Sequence, residues 1–266
     1  MAAKTLTKST DRAAVYKILR QVHRPRVSDG ADTALLTNAT KQLVLVWPQL
    51  GDFDSLEYAW WLQRGATRLA DCGLTVRAVG IGDRSSGRAF CAYTGFPEAS
   101  LLLDSDGSLH QELALYPGLT LSVPGLNQRQ NAWLSLLLMC AGIGSPGTLP
   151  EVFRGYLGDR SAPQLIGDDE VVQAPPLPPI KGEFFKRAGG KGFQRPFELA
   201  TLRLRNMTEV LGKWNTYVPD VSHITQRGAT YVIADETVVY EHCDRNILGF
   251  APNMSDPLSF LEDITV

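Results

Sequence analysis

Residues 42–54 read Gln-Leu-Val-Leu-Val-Trp-Pro-Gln-Leu-Gly-Asp-Phe-Asp. From Leu43 to Trp47 the run is apolar and β-prone without a polar break, as in a strand buried on both faces, whereas a strand with one wet face alternates. The 48–52 segment (Pro-Gln-Leu-Gly-Asp) is a turn. Asp54-Ser55 then opens a periodic apolar stretch through Leu56, Ala59, Trp60, Leu62, Ala66, Leu69 and Ala70, with Gly73 as its stop. A strand followed at once by a turn and a long helix is the start of a crossover unit.

Working outward, 74–81 (Leu-Thr-Val-Arg-Ala-Val-Gly-Ile) predicts a second strand. Residues 85–94 predict a helix ended by Gly95, and 99–103 a third strand after Phe96-Pro97. This alternation predicts parallel strands joined by right-handed crossovers. Upstream, residues 11–24 place Ala13, Val15, Ile18, Leu19 and Val22 at helical spacing behind a Ser9-Thr10-Asp11 start that can cap a helix. Near the other end, 229–234 and 237–242 alternate on either side of Asp235-Glu236, which predicts an antiparallel hairpin and makes the sheet mixed. A last short helix is expected at 258–264.

Between these halves, 120–225 contains an apolar helix at 131–141, a bend at 142–150 and a helix near 150–157. The Pro-rich tract 174–179, a glycine-rich basic loop at 181–195 and a helix over 197–214 follow. The expected architecture is α/β, with a central mixed sheet flanked by helices and a long, mainly helical insertion. Its divisions are an N-terminal extension (1–34), a first half (35–119), the insertion (120–225) and a second half (226–266). Function peculiar to this chain is expected in the insertion, since the rest is scaffold.

At 266 residues, 44% hydrophobic and 20% charged, the chain can bury a full core. A net charge of -2 gives no global attraction to nucleic acid or to an anionic membrane, so a nucleic-acid role is not expected. The longest apolar run, 132–143, is about half of what a bilayer span needs. The 1–8 segment has lysines but neither a following apolar stretch nor a small-residue cleavage site, so it does not read as a secretory signal, and a cytoplasmic or stroma-like location is expected. Cysteines at 72, 91, 140 and 243 form no Cys-x-x-Cys pair and have no histidine cluster of zinc-ligand spacing. No metal or cofactor is called for.

Several stretches sharpen the picture: Leu43-Val44-Leu45-Val46-Trp47-Pro48, Ala78-Val79-Gly80-Ile81-Gly82, the 90–97 run Phe-Cys-Ala-Tyr-Thr-Gly-Phe-Pro, Leu102-Leu103-Asp104 and Arg227-Gly228-Ala229-Thr230-Tyr231. Together with the element order they resemble the peroxiredoxin-like, AhpC/TSA-type branch of the thioredoxin-fold superfamily, in particular its cyanobacterial and chloroplast forms. The resemblance covers about 35–118 and 225–262. It implies a thioredoxin-like fold and a reactive cysteine in the loop after the first strand, where amides and the helix dipole lower a thiol's pKa.

That loop here holds Pro48, Gly51, Asp52, Asp54 and Ser55 and no cysteine. If Gly51 matches the glycine before the family's Cys-x-x-Cys, Asp52 and Ser55 stand where its two cysteines would, and neither can carry out thiol peroxidation. Asp52 or Asp54 is expected to cap the helix, the alternative being a catalytic carboxylate. Cys91 and Cys243 are the candidate relocated thiols; each would need exposure, a lowered pKa and a nearby Arg or His. Cys72 and Cys140 read as structural.

Lys186, Arg187, Lys191 and Arg195, with Phe184 and Phe185 interleaved, form a candidate basic binding patch, the alternative being a solvated loop. The Pro-rich tract reads as a spacer, and Gly80-Ile81-Gly82 as a tight turn. The leading expectation is a binding, assembly or regulatory protein that docks a protein partner through 120–225, with its old active site silent. The alternatives are a thiol-dependent peroxidase using Cys91 or Cys243, and a non-redox enzyme using Asp52 and Asp54.

Overall fold

The computed structural model describes residues 11–264. Helix α1 (Arg12–Gln21) begins where the Asp11 carboxylate accepts hydrogen bonds from the Ala13 and Ala14 amides, at 3.1 and 3.3 Å. Ser9 and Thr10, and the 1–8 segment read for a signal, lie outside the described residues. A short hairpin of β1 (His23–Pro25) and β2 (Asp32–Ala34) leads to β3 (Lys41–Gln49), α2 (Phe53–Arg64) and α3 (Ala66–Asp71). The chain continues through β4 (Thr75–Ile81), α4 (Arg84–Thr94), β5 (Leu101–Leu103) and α5 (Ser108–Glu112). Helices α6 (Gln128–Cys140) and α7 (Thr148–Leu157) come next, then a small ladder of β6 (Val171–Val172) with β7 (Ile180–Lys181). Helices α8 (Lys186–Gly189), α9 (Glu198–Gly212) and α10 (Trp214–Tyr217) precede the closing pair, β8 (Ala229–Ala234) and β9 (Thr237–Cys243).

The main sheet has the order β5-β4-β3-β8-β9. Strand β3 pairs in parallel with β4 and β4 with β5, whereas β8 runs antiparallel to both β3 and β9. This is the mixed α/β arrangement that the alternation predicts. Every residue of β3 from Gln42 to Gln49 is buried. Leu43, Leu45 and Trp47 face a layer that includes Leu56 and Leu62 of α2, Phe90 of α4 and Leu199 of α9. Val44 and Val46 face the opposite layer with Val15 and Leu19 of α1 and Leu109 of α5. Covering both faces is why the strand's sequence does not alternate.

Some expectations need correction. The helix expected to run unbroken to Gly73 divides at Gly65, a position held to glycine because a Cβ there would collide with the side chain of Leu258 from the far end of the chain. The helix expected at 258–264 is a 3-10 turn over Ser259–Leu261. The Pro-rich tract is not a free spacer: the Thr208 hydroxyl donates to the Pro175 carbonyl at 2.6 Å, holding the tract against α9. Gly82 does form a tight turn, since a Cβ there would strike Ser86, and the adjacent helix start is capped by the Asp83–Ser86 box. Among the described residues no helix is long and apolar enough to cross a membrane.

Asp104, at the end of β5, locks the layer on the α1 side. Its fully buried carboxylate accepts from Arg24 Nε (2.8 Å), the Ser108 hydroxyl (3.2 Å) and the Leu109 amide (3.1 Å). His110 lies with Nδ1 3.7 Å away and donates from Nε2 to the Trp47 carbonyl at 3.0 Å, so hairpin, helix α5 and β3 are joined through one acid. Burial pushes the carboxyl up, but His110 and Arg24 outweigh it and bring it down to about 2. A carboxyl lowered in the folded state stabilises fully above its unfolded pKa of about 4, and that contribution disappears as pH falls toward 2. Asp104→Asn is expected to lower stability by about 2–4 kcal/mol at pH 7 and to flatten the loss between pH 4 and 2, read from urea midpoints across that range.

Candidate functional site

The turn after β3 is set by close approach. A Cβ on Gly51 would lie 2.8 Å from Val218 Cγ2 and 2.9 Å from Tyr217 Cβ, so only glycine lets α10 pack on the loop. Helix α2 then starts at Asp52, whose Oδ1 accepts from the Asp54 amide at 2.9 Å. Its Oδ2 takes a hydrogen bond from Arg227 Nη2. The other terminal nitrogen of Arg227 donates to Asp54 Oδ2 at 3.1 Å, and Asp54 also accepts from the Leu248 amide at 3.0 and 2.8 Å.

Arg227 stands in the turn before β8 with no exposed surface, and its Nε donates to the Thr225 carbonyl at 3.2 Å. Asp244 completes the cluster from beyond β9: Oδ2 accepts from the Gly228 amide at 3.3 Å and Oδ1 lies 3.6 Å from His242 Nε2. One guanidinium therefore faces three carboxyls in a dry site. Burial lowers the Arg227 pKa, but Asp52 and Asp54 outweigh it and hold the cation firmly charged. Burial, reinforced by Asp52, pushes Asp54 well up against the pull of Arg227. Burial likewise lifts Asp244 to about 7 despite Arg227. Ser55 is buried, with its hydroxyl 3.4 Å from the Gln49 carbonyl. Pro48 lies where the pairing of β3 with β4 shifts register between Trp47 and Gln49.

The candidate thiols lie elsewhere. Cys91, on the buried face of α4, lies in the core, and burial pushes it up to about 12. Cys243 is half-buried, 3.9 Å from the Tyr231 hydroxyl and 3.5 Å from Glu241 Oε1, and burial with Glu241 pushes it up to about 12 as well. His242, its sequence neighbour, instead donates to the Gly249 carbonyl at 2.9 Å. Cys140, read from the sequence as structural, is exposed at the end of α6. Desolvation by the pocket walls raises its thiol, with Asp52, Arg227 and Asp54 near enough to act on it. The expectation for Cys140 is thus corrected, because the apolar helix that carries it is only partly covered.

The four basic residues of the candidate patch do not form one exposed surface. Arg195 is corrected outright: it is 0% exposed, with Nη2 2.6 Å from Glu198 and Nη1 3.1 Å from Asp168. Lys186 and Lys191 reach the same Asp168 at 2.6 and 3.4 Å. Arg187 lies over the Phe184 ring, 5.2 Å from its centroid. The 181–195 segment is a knot around Asp168, and Arg187 faces outward from it.

Beside the Arg227 cluster opens a cavity of about 1500 Å³. Phe53 and Leu248, which adjoin Asp52 and contact Asp54, form part of its wall; α7, α9, the Pro-rich tract and the 180–188 segment supply most of the rest, with Cys140 at the end of α6. Sequence reading missed this cavity and the role of Arg227. The available signal for the latter was an arginine two residues before a buried, β-prone strand, a place where a charge needs a partner. Among the described residues no three of His, Cys, Asp and Glu are grouped to hold a metal ion.

A family model described as AhpC/TSA antioxidant enzyme matches residues 61–246, more than half of the chain, beginning just past the 48–57 loop. The chain belongs to that family, and its mixed sheet flanked by helices is the thioredoxin-like fold. No curated protein and no solved structure matches it.

The native state takes up a proton at Asp244 near pH 7 that an unfolded aspartate takes up only near pH 4. Stability therefore falls as pH rises from about 4 to 7, by up to about 1.4 kcal/mol per pH unit. Asp244→Asn is expected to reduce that slope, with Asp54, raised in the same direction, supplying what remains, measured by urea denaturation between pH 4 and 8.

Proposed function

We propose that this member of the AhpC/TSA family acts by binding, in an assembly or regulatory role, and does not reduce peroxides with a thiol. The observation that carries this reading is the buried Asp52–Arg227–Asp54 ion pair at the start of α2. Peroxide reduction by a thiol needs a thiolate that attacks one oxygen of the O–O bond, leaves as sulfenic acid and expels the other oxygen, which takes a proton. In the place where the family resemblance puts that thiolate, the chain has a carboxylate whose oxygens are occupied by a guanidinium and a backbone amide. A carboxylate has no sulfenate equivalent.

Three of the four thiols support the same reading. With Cys91 and Cys243 pushed up to about 12, the thiolate is a negligible fraction at pH 7. Cys140 is moved in the same direction. Support for binding comes from 120–225, where Leu137, Phe153 and Leu157 are 60, 58 and 75% exposed on α6 and α7. Large apolar side chains left exposed on these two helices favour contact with a partner, and a protein partner docking there is part of the proposal. Residence in the cytoplasm or a stroma-like compartment belongs to it too.

The purified chain, given hydroperoxide with thioredoxin or dithiothreitol, is expected to consume peroxide no faster than the reductant alone. Serine at each of Cys72, Cys91, Cys140 and Cys243 in turn is expected to leave that baseline unchanged. Turnover abolished by one of the four substitutions would identify a relocated catalytic thiol and overturn the proposal.

A further inference from the structure

The 1500 Å³ cavity is larger than the roughly 300–1,000 Å³ of pockets that hold drug-sized ligands. Its walls are predominantly hydrocarbon and aromatic: Phe53, Val152, Leu204 and Leu248 line it, and Tyr156 and Phe184 stay about half exposed around it. Side chains of this kind left open to water in a concave site mark a binding surface. The shape asks for a long hydrocarbon group.

The charges on the same wall are uneven. Lys181, Lys186, Arg187 and Arg203 line the cavity against one acid, Glu183. Arg203 is committed to Glu57 and Glu151 at 2.7 and 2.6 Å, and Lys186 to Asp168 at 2.6 Å. Lys181 and Arg187 have no acidic partner among the described residues, and both belong to the 180–188 segment. An apolar chamber with two cations that lack an acidic partner on one part of its wall, Arg187 lying over the Phe184 ring, is complementary to an amphiphile with an anionic head. The nearby Glu183 favours a head of single charge over a doubly charged phosphate.

We propose that the cavity binds a long-chain fatty acid, its hydrocarbon chain against the α7 and α9 walls and its carboxylate between Lys181 and Arg187. This deepens the binding role proposed above by naming a ligand class. Cys140 also lines the cavity and is exposed, so its thiol reports occupancy. It is a probe here and takes no part in binding.

The test titrates the full-length protein with oleate below its micelle concentration, following heat and the rate at which maleimide labels Cys140. The same measurements use oleyl alcohol, which lacks the charge, and butyrate, which lacks the chain. Oleate is expected to bind at micromolar or lower concentration and slow labelling several-fold, with oleyl alcohol at least tenfold weaker and butyrate without effect. Lys181→Glu with Arg187→Glu is expected to cut oleate affinity at least tenfold while leaving the alcohol unchanged. Met207→Trp, which fills the chamber, is expected to weaken both, with an unchanged circular dichroism spectrum showing that each variant folds.

Equal affinity for oleate and its alcohol, or indifference to the charge reversal, would overturn the assignment of the head. No binding of oleate at all, or protection of Cys140 by concentration-dependent self-association or by an amphipathic peptide in its place, would overturn the ligand class. Peroxide turnover would sink the function proposed above and leave oleate binding readable. Absence of both would sink the cavity assignment alone.

Discussion

Arg227 sits between Asp52 and Asp54 without contact with water, and the arrangement around it follows from that confinement. The two carboxyls belong to the first turn of α2, the guanidinium to the turn before β8 and the amide of Leu248 to the segment after β9. Three parts of the chain distant in sequence are pinned at one end of the sheet. A buried pair of this kind adds little net stability compared with well-packed hydrocarbon, because desolvation of the charges offsets their attraction. Its removal from one side is costly, since a charge then stays buried alone. Such a cluster fixes geometry more than it adds free energy, and here the geometry it fixes is that of the loop where the resembling family keeps its nucleophile.

The same cluster forms the boundary of the cavity. Phe53 follows the capping Asp52 directly, and Leu248 is held by Asp54, so two wall residues are positioned by the ion pair. Everything opposite them comes from the segment between β5 and β8. The knot of Lys186, Lys191 and Arg195 around Asp168 holds the 181–195 stretch in place, and the Thr208–Pro175 bond holds the Pro-rich tract against α9. The start of α2 and the segment after β9 carry one wall, and the segment between β5 and β8 builds the rest.

The sheet was legible because local signals and global burial agree. The unbroken apolar run of β3 demands two covered faces, Gly95 takes the left-handed conformation that ends α4, and Asp235-Glu236 closes the hairpin of β8 and β9. Partners distant in sequence were not legible. The periodic helix divides at Gly65, where the close packing of Leu258 leaves room for glycine alone. The patch reading of Arg195 failed because Asp168, 27 residues earlier, reaches its guanidinium, although the Glu198 three residues on was a local hint. The absence of a cysteine between 48 and 57 was plain, whereas the cation that takes up the charge of Asp52 lies 175 positions away. Cys140 emerged as an exposed thiol on the cavity wall because α6 leaves one face uncovered, which periodicity alone does not reveal.

The account depends on position 52 being an anion site created jointly by Arg227 and the start of α2. The most direct measurement introduces a thiol there and titrates it: Asp52→Cys, alkylated with iodoacetamide across pH 5 to 10, with the unmodified protein as baseline for the native cysteines. The account predicts an apparent pKa clearly below the ~8.5 of a free cysteine, and a return to that value or above when Arg227→Gln is added. A thiol at position 52 that titrates at or above 8.5 with Arg227 present would contradict it.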